Sequence, residues 1–427
     1  MMQKDEKGMN RLVVIGGGAA GFFCAVNAAR LHPQLEVRLL EKTNKLLSKV
    51  KVSGGGRCNV THALSSIPEM AKRYPRGTQF LKKSFVRFFV PDTVRWFGER
   101  GVQLKTEDDG RMFPVTDSSQ TIIDCLLREA DRYGVKVQMQ SEVSGITRRG
   151  EEWIIQLRDG NTISARYVCV AAGGYAQAEK FGWLRELGHT IEPPAPSLFT
   201  FNMPQNPVTA LMGVSVPDAQ LKIAGLKLQE SGPLLITHWG MSGPAVLRLS
   251  AWGARLLQSL QYTFTLLVNW LPAYHESSLR DAWPELRLSM GGQMIYTKNP
   301  FGLPQRLWHF LLQQSGINEN ARWAELPAKE QNKLIRCLTG MEFPVKGKTT
   351  FKEEFVTCGG VRLSEINPDT MESRMVPGLF FAGEVMDVDG ITGGFNFQHA
   401  WTSGWIAAGL KQTDPHLPAQ PGALSGR

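Results

Sequence analysis

Cysteine is scarce and scattered. Cys24, Cys58, Cys125, Cys169, Cys337 and Cys358 are the only six in 427 residues, with no CxxC pair. This argues against a zinc site or a thioredoxin-like motif and fits reduced cytosolic thiols. A chain this long buries a core that needs no disulfide staples. No run approaches the roughly 18 to 20 apolar residues of a membrane span. The segment Met1 to Lys7 is mixed in charge and lacks the apolar stretch of a secretory signal. The expectation is a cytoplasmic protein without membrane association. No internal repeat or low-complexity tract is present, which sets aside repeat architectures. Acidic residues are the minority, 39 against 48 Lys and Arg, for a net charge of +9. Such a surplus is either a plain solvated surface or the mark of an anionic partner, RNA or an anionic cofactor.

What is present is ordinary globular composition, 42% hydrophobic and 20% charged, on a length that suggests two or three domains. Arg11 to Ile15 reads as a strand, a glycine-rich turn follows, and Ala19 to about Leu31 reads as an alanine-rich helix. Leu35 to Leu40 is the next strand, ending at Glu41, and completes a βαβ unit. Lys51 to His62 is too glycine-rich for regular structure and reads as a functional loop. Residues 63–135 look mainly helical, with Thr121 to Tyr133 at helical spacing and Gly134 as a stop. Val135–Gln140, Gly145–Arg149, Trp153–Leu157 and Thr162–Ala165 read as an antiparallel meander, and Tyr167–Ala172 as a strand. Pro193, Pro194 and Pro196 mark a boundary.

Beyond it, short alternating segments suggest a β-rich domain at 196–272. A helical domain at 273–345 follows, anchored by Trp283, Trp308 and Trp323. Strand-like sequence returns at 356, Leu379–Ala382 is apolar, and a last helix runs from about His399 to Leu410. The tail 412–427 reads as flexible. The expected layout is one domain in two parts, 1–195 and 346–411, with both insertions between them.

Four glycine-rich motifs carry chemistry. Gly16, Gly18 and Gly21 form a GxGxxG, with Ala20 inside it, between a strand and a helix. Gly16 allows the tight turn, Gly18 lets a pyrophosphate approach the backbone, and Gly21 lets helix and strand pack closely. Glu41, 20 residues past Gly21, stands where an acid accepts ribose hydroxyls, with Lys42 beside it. An acid there favours FAD or NAD over NADP. Ser53, Gly54, Gly55, Gly56, Arg57, Cys58 and Asn59 offer bare N–H groups, a cation and an amide to a pyrophosphate or a flavin edge. Cys58 itself reads as packing rather than as a nucleophile. Ala172, Gly173 and Gly174 end a strand where the chain would pass a cofactor, and Val143 is assigned to the same site. Gly383 and Glu384 end another strand. Gly393, Gly394, Phe395 and Asn396 precede or open the last helix, whose amino end would aim at the N1/O2 side of a flavin. No second GxGxxG suits NAD(P)H, so the two-nucleotide-domain layout of disulfide reductases is not expected.

With these motifs in hand, the chain resembles the bacterial flavoproteins called YhiN-like, BaiN-like or aminoacetone-oxidase-like. The resemblance rests on GGGAAG at 16–21, SGGGRCN at 53–59, Thr357-Cys358-Gly359-Gly360-Val361 and the run from Ala382 to Gln398. It implies an α/β fold with a Rossmann-type FAD-binding domain split by an inserted β-barrel-like domain and a helical domain, and noncovalent FAD. The chain departs from the usual pattern at Leu47–Lys51, at Thr61-His62 and at Ile391.

The function expected is that of an FAD-dependent oxidoreductase passing a hydride at flavin N5. Its reaction is expected to be NAD(P)H-linked reduction of a C=C bond, with a uridine in ribosomal RNA among the substrates the resemblance implies. The alternatives are an O2-using oxidase of a small amine and a nonenzymatic flavoprotein that binds RNA or senses redox state. Lys72, Arg73, Arg76, Lys82, Lys83 and Arg87 are interleaved with Tyr74, Phe80, Phe85, Phe88 and Phe89. That pattern suits single-stranded RNA, or else a helix with a basic face and an aromatic core stripe. His238 and His399 are the candidate acid/base residues. No metal is expected.

Overall fold

The computed structural model describes residues 10–349 and 356–411; the expected flexible tail lies outside them. The chain divides into two compact units, residues 1–194 with 356–427, and Ala195–Phe355.

The first unit is built on a five-stranded parallel sheet. Its order is Leu379–Phe381, Tyr167–Val170, Arg11–Ile15, Glu36–Leu40, Lys136–Gln138. The strand nearest the carboxyl end of the chain thus pairs with one from the middle, Phe380 opposite Cys169. The central strand is buried along its whole length, as a parallel strand covered on both faces must be. Helix Ala19–Leu31 is buried from Ala20 through Ala29. It lies between the sheet and helix Phe395–Ala408, so it is buried all round rather than striped, its one fully buried polar side chain, Asn27, bonded to the Phe23 carbonyl and to Trp96. Small residues set that packing: a Cβ on Gly404 would fall 2.7 Å from the Ala20 carbonyl oxygen. Phe22, Phe23 and Val26 are fully buried here, each worth about 1.5–3 kcal/mol.

Three expectations change in this unit. The segment 51–62, expected to lack regular structure, is entered by helix Ser48–Gly56, broken at Ser53–Gly55, and ends in the strand Thr61–His62. Lys136–Gln138 is not part of the meander; it forms the edge of the parallel sheet, beside Glu36–Leu40. The antiparallel meander is the three-stranded sheet Val143–Arg149, Glu152–Leu157, Thr162–Ala165. The last helix begins at Phe395, four residues before the expected start.

The second unit carries a seven-stranded sheet ordered Met341–Lys346, Thr263–Asn269, Ser215–Ile223, Gln229–Thr237, Gly240–Ser242, Thr200–Asn202, Lys348–Thr349. Helices Glu276–Met290, Gln305–Ser315 and Ala328–Gly340 share its hydrophobic core. Trp283, Trp308 and Trp323 are buried at its centre, with ring centroids 5.4 and 6.3 Å apart. The β-rich and helical insertions are therefore one unit, because their apolar faces cover each other. It extends past residue 345, since 341–346 and 348–349 are strands of its sheet.

Candidate functional site

The first strand ends in a turn whose glycines serve two purposes. Gly16 sits at φ +115°, where a Cβ would lie 2.3 Å from the Ala171 carbonyl oxygen, and a Cβ on Gly21 would lie 1.9 Å from that of Gly16. Those two permit close packing. A Cβ on Gly18 would meet nothing within 4 Å. Gly18 is the N-cap of helix Ala19–Leu31, which has no capping side chain and no acid in its first turn. The first-turn N–H groups, Ala20 included, and the positive helix end are left for an external anion. Glu41 closes the turn: its Oε2 accepts from Gly17 N–H at 2.9 Å and its Oε1 from Thr43 N–H at 2.9 Å. Lys42 stands 5.7 Å over the Tyr175 ring. Val143 follows two residues after Ser141, whose N–H donates to the Glu41 carbonyl at 2.8 Å.

The 53–59 loop is left-handed over most of its length. Ser53 is extended, Gly54, Gly55 and Gly56 have φ of +58°, +70° and +86°, and Cys58 +61°. A Cβ on Gly55 or Gly56 would meet nothing within 4 Å. Arg57 does not point a free cation along this path. It bonds Glu107 at 2.5 Å and covers the Phe113 ring at 4.0 Å. Cys58 is fully buried, and burial pushes its thiol up to about 12, so it packs rather than reacts.

Four distant segments converge at Glu384. Its Oε1 accepts from Thr357 N–H at 2.8 Å and its Oε2 pairs with Lys49 at 2.6 Å. A Cβ on Gly174 would lie 3.0 Å from Oε1. Ala172 lies against Gly16, and Gly173, at φ +76°, has open space where a Cβ would be. Gly383 approaches the first helix, its missing Cβ 2.8 Å from that of Ala20.

Helix Phe395–Ala408 begins at Gly394 (φ +90°), again without a capping side chain or a first-turn acid. Asn59, with its amide turned to satisfy both neighbours, donates to the Thr61 carbonyl at 3.0 Å and accepts from Gly394 N–H at 3.1 Å. The glycine loop is thereby tied to this helix start. His62 lies beside it, its Nδ1 3.1 Å from the Gly393 carbonyl oxygen. Asn396 closes the preceding turn, accepting from Gly390 N–H at 2.8 Å and donating to the Gly390 carbonyl at 2.9 Å. His399 is 2% exposed with Nε2 on the Gly383 carbonyl, and burial pushes it down to about 4. It is a neutral core histidine, not an exposed acid/base. His238 is exposed on a turn of the second unit, edge-on to Trp239 at 4.3 Å.

The basic–aromatic segment divides along its pattern. Tyr74, Phe80, Phe85, Phe88 and Phe89 are all buried; Phe88, for example, packs on Phe23 at 5.6 Å. They are the core stripe, unavailable for stacking on bases. Lys72 pairs with Glu69, Arg87 with Asp369, and Arg76 with the fully buried Asp389. Arg73, Lys82 and Lys83 form no ion pair among the described residues. Sequence reasoning missed Lys49, His62 and the Arg76–Asp389 pair as parts of the site. His62 stood in the motif as a departure, but spacing cannot show that it meets Gly393. Among the described residues no group of three or more His, Cys, Asp or Glu is placed to hold a metal ion. No helix there is long and apolar enough to cross a membrane.

Residues 10–410 match the family model described as the HI0933-like protein Rossmann domain. The chain is 32% identical over 405 residues to a ribosomal RNA dihydrouridine synthase of Escherichia coli strain K12, covering 93% of this chain and 96% of that one. It is 29% identical over 408 residues to the 3-dehydro-bile acid delta(4,6)-reductase of Clostridium scindens, covering 93% and 98%. Among solved structures it is similar in fold to the 3-ketosteroid delta1-dehydrogenase of Sterolibacterium denitrificans. That likeness has a TM-score of 0.51 at 13% identity, over 94% of this chain and 99% of that one.

Proposed function

The chain belongs to the HI0933-like Rossmann family, and from that premise we propose an FAD-dependent oxidoreductase that reduces a carbon–carbon double bond with electrons from NAD(P)H, its substrate a uridine of ribosomal RNA. The observation that carries this reading is a pair of uncapped helix starts, at Gly18 and Gly394, contributed to one unit by opposite ends of the chain. The residues fit a noncovalent FAD. The open backbone at Gly18 would take the pyrophosphate, Glu41 the adenosine ribose, and Gly393, Gly394 and the helix start the electron-rich edge of the isoalloxazine. A flavin bound there, once reduced by a pyridine nucleotide, would supply the hydride at N5.

The chain's own residues do the rest. Lys49 and Thr357 hold Glu384 in place, and Asn59 holds the start of the last helix. Saturating the double bond of uridine needs a proton as well as a hydride, and His238 is the donor we assign. His238→Gln is expected to abolish turnover and leave FAD affinity unchanged; full activity would remove it from the mechanism.

The relatives favour this substrate class, since both names describe saturation of a C=C bond. Arg73, Lys82 and Lys83 are the cations assigned to RNA phosphates. Changing all three to Ala should flatten the dependence of log affinity on log salt by about three; an unchanged slope would move the RNA site elsewhere.

The reading is tested by spectroscopy. The purified protein should show flavin bands that anaerobic NADH or NADPH bleaches and that RNA from cells lacking the protein restores, with two hydrogens gained at one uridine. A colourless protein that FAD cannot reconstitute would overturn the reading. Restoration by a steroid enone but not by RNA would favour a small-molecule reductase, the second reading, which the Clostridium relative supports. Bleaching by an amine and restoration by O2 would favour the oxidase alternative.

A further inference from the structure

A titratable ring stands at the amino end of helix Phe395–Ala408. His62 stacks on Phe395, centroids 4.8 Å apart at 25°, with Nδ1 3.1 Å from the Gly393 carbonyl oxygen. A carbonyl only accepts, so Nδ1 carries the proton and donates it, and Nε2 is the atom left to titrate. The ring is half-buried. Gly110 leaves room at Nε2; a Cβ there would lie 2.6 Å away.

The charges facing the ring come from several elements. The strand Arg111–Pro114 contributes Arg111, paired with His62 across the ladder, and the turn before it contributes Asp109. The segment after helix Ile67–Ala71 contributes Arg73. On the 387–394 segment, Asp389 is committed to Arg76. Helix Phe395–Ala408 presents the Phe395 ring and its uncapped start. Burial lowers the proton affinity of the imidazole below the ordinary histidine value. The Gly393 carbonyl and Asp109 oppose that effect, and Arg73 and Arg111 add to it.

We propose that His62 is the proton-responsive group of this site: neutral while the helix start is free of negative charge, and protonated at Nε2 when negative charge is placed there. This rests on the FAD reading. A unit negative charge within about 6 Å raises proton affinity by on the order of a hundredfold at the effective dielectric of a partly buried site. Nε2 takes that proton from solvent and makes no bond to carbon. The imidazolium then adds a full positive charge to the partial charge of the helix start. The driving force for placing electrons at this site thus becomes dependent on pH.

The test uses the FAD-loaded full chain with isotopically labelled histidine. The His62 resonance is assigned by its absence in His62→Asn, and its titration midpoint is read by NMR before and after dithionite reduction. The midpoint should lie below 6.5 in the oxidised protein and rise by at least a unit on reduction. His62→Asn keeps a donor for the Gly393 carbonyl without titrating, so it should retain FAD and lose the matching pH dependence of the midpoint potential. The same midpoint in both redox states, with FAD bound and reduced, would overturn the proposal and leave the FAD reading intact. An equal pH dependence in wild type and His62→Asn would do the same. A protein that binds no FAD would overturn both.

Discussion

At the scale of single residues, the most informative positions are polar groups buried against a specific partner. Asp389 is fully buried and held by Arg76 through two hydrogen bonds. Arg76→Ala would remove one side of this buried ion pair, a loss of about 3–5 kcal/mol in denaturant unfolding. Arg76 is therefore a clamp on the 387–394 segment, and its loss should weaken FAD binding more than RNA binding. His399 makes a different prediction. Its value in the folded protein, about 4, is below the 6.5 of the unfolded chain. Between those pH values the unfolded state binds a proton that the folded state refuses, so stability falls as pH drops from 6.5 toward 4. The loss is about 3 kcal/mol. His399→Gln should flatten that acid limb in unfolding measured against pH; an unchanged limb would show that other groups set it.

At the scale of elements, the strand–turn–helix at 11–31 separates fold from ligand. Gly21→Ala places a carbon 1.9 Å from a carbonyl oxygen, whereas Gly18→Ala meets nothing. The first should lower Tm with or without FAD. The second should leave the Tm of the FAD-free protein unchanged within a degree or two and weaken FAD binding at least tenfold, as read by equilibrium titration. A second connection lies at the exit of this unit. His189 Nδ1 meets Glu365 Oε2 at 3.2 Å, and its Nε2 meets Ser373 Oγ at 3.1 Å. The order serine–histidine–carboxylate is that of a nucleophilic triad, but Ser373 and His189 are 4% and 3% exposed. Ser373 Oγ also accepts from Met375 and Val376 N–H. The trio joins the 363–376 loop to the strand that follows residue 190, and burial keeps substrate from it.

At the scale of the whole molecule, the parallel sheet takes its strands from residues 11 to 381 while 195–355 fold around a core of their own. Replacing 195–355 by a short glycine–serine linker should therefore leave an FAD-binding protein that lacks activity toward RNA. Loss of FAD binding in a folded product of that deletion would overturn the assignment of the cofactor to the first unit.

Much of this was readable in the residues. The first strand and helix, the glycine fingerprint with Glu41, and the three buried tryptophans follow from local rules: period, propensity, and the backbone freedom that glycine alone provides. Those rules act over a few positions, so neighbours along the chain suffice to express them. What spacing could not express was pairing across hundreds of residues. Lys136–Gln138 looks like any short strand until its edge position appears. Arg76, Arg57 and Arg87 look like free cations until Asp389, Glu107 and Asp369 arrive beside them. His62 is an ordinary loop histidine until Gly393 and Phe395 are folded against it. Charge, proton affinity and accessibility depend on distance in space, and only the tertiary structure decides which distant residues become neighbours.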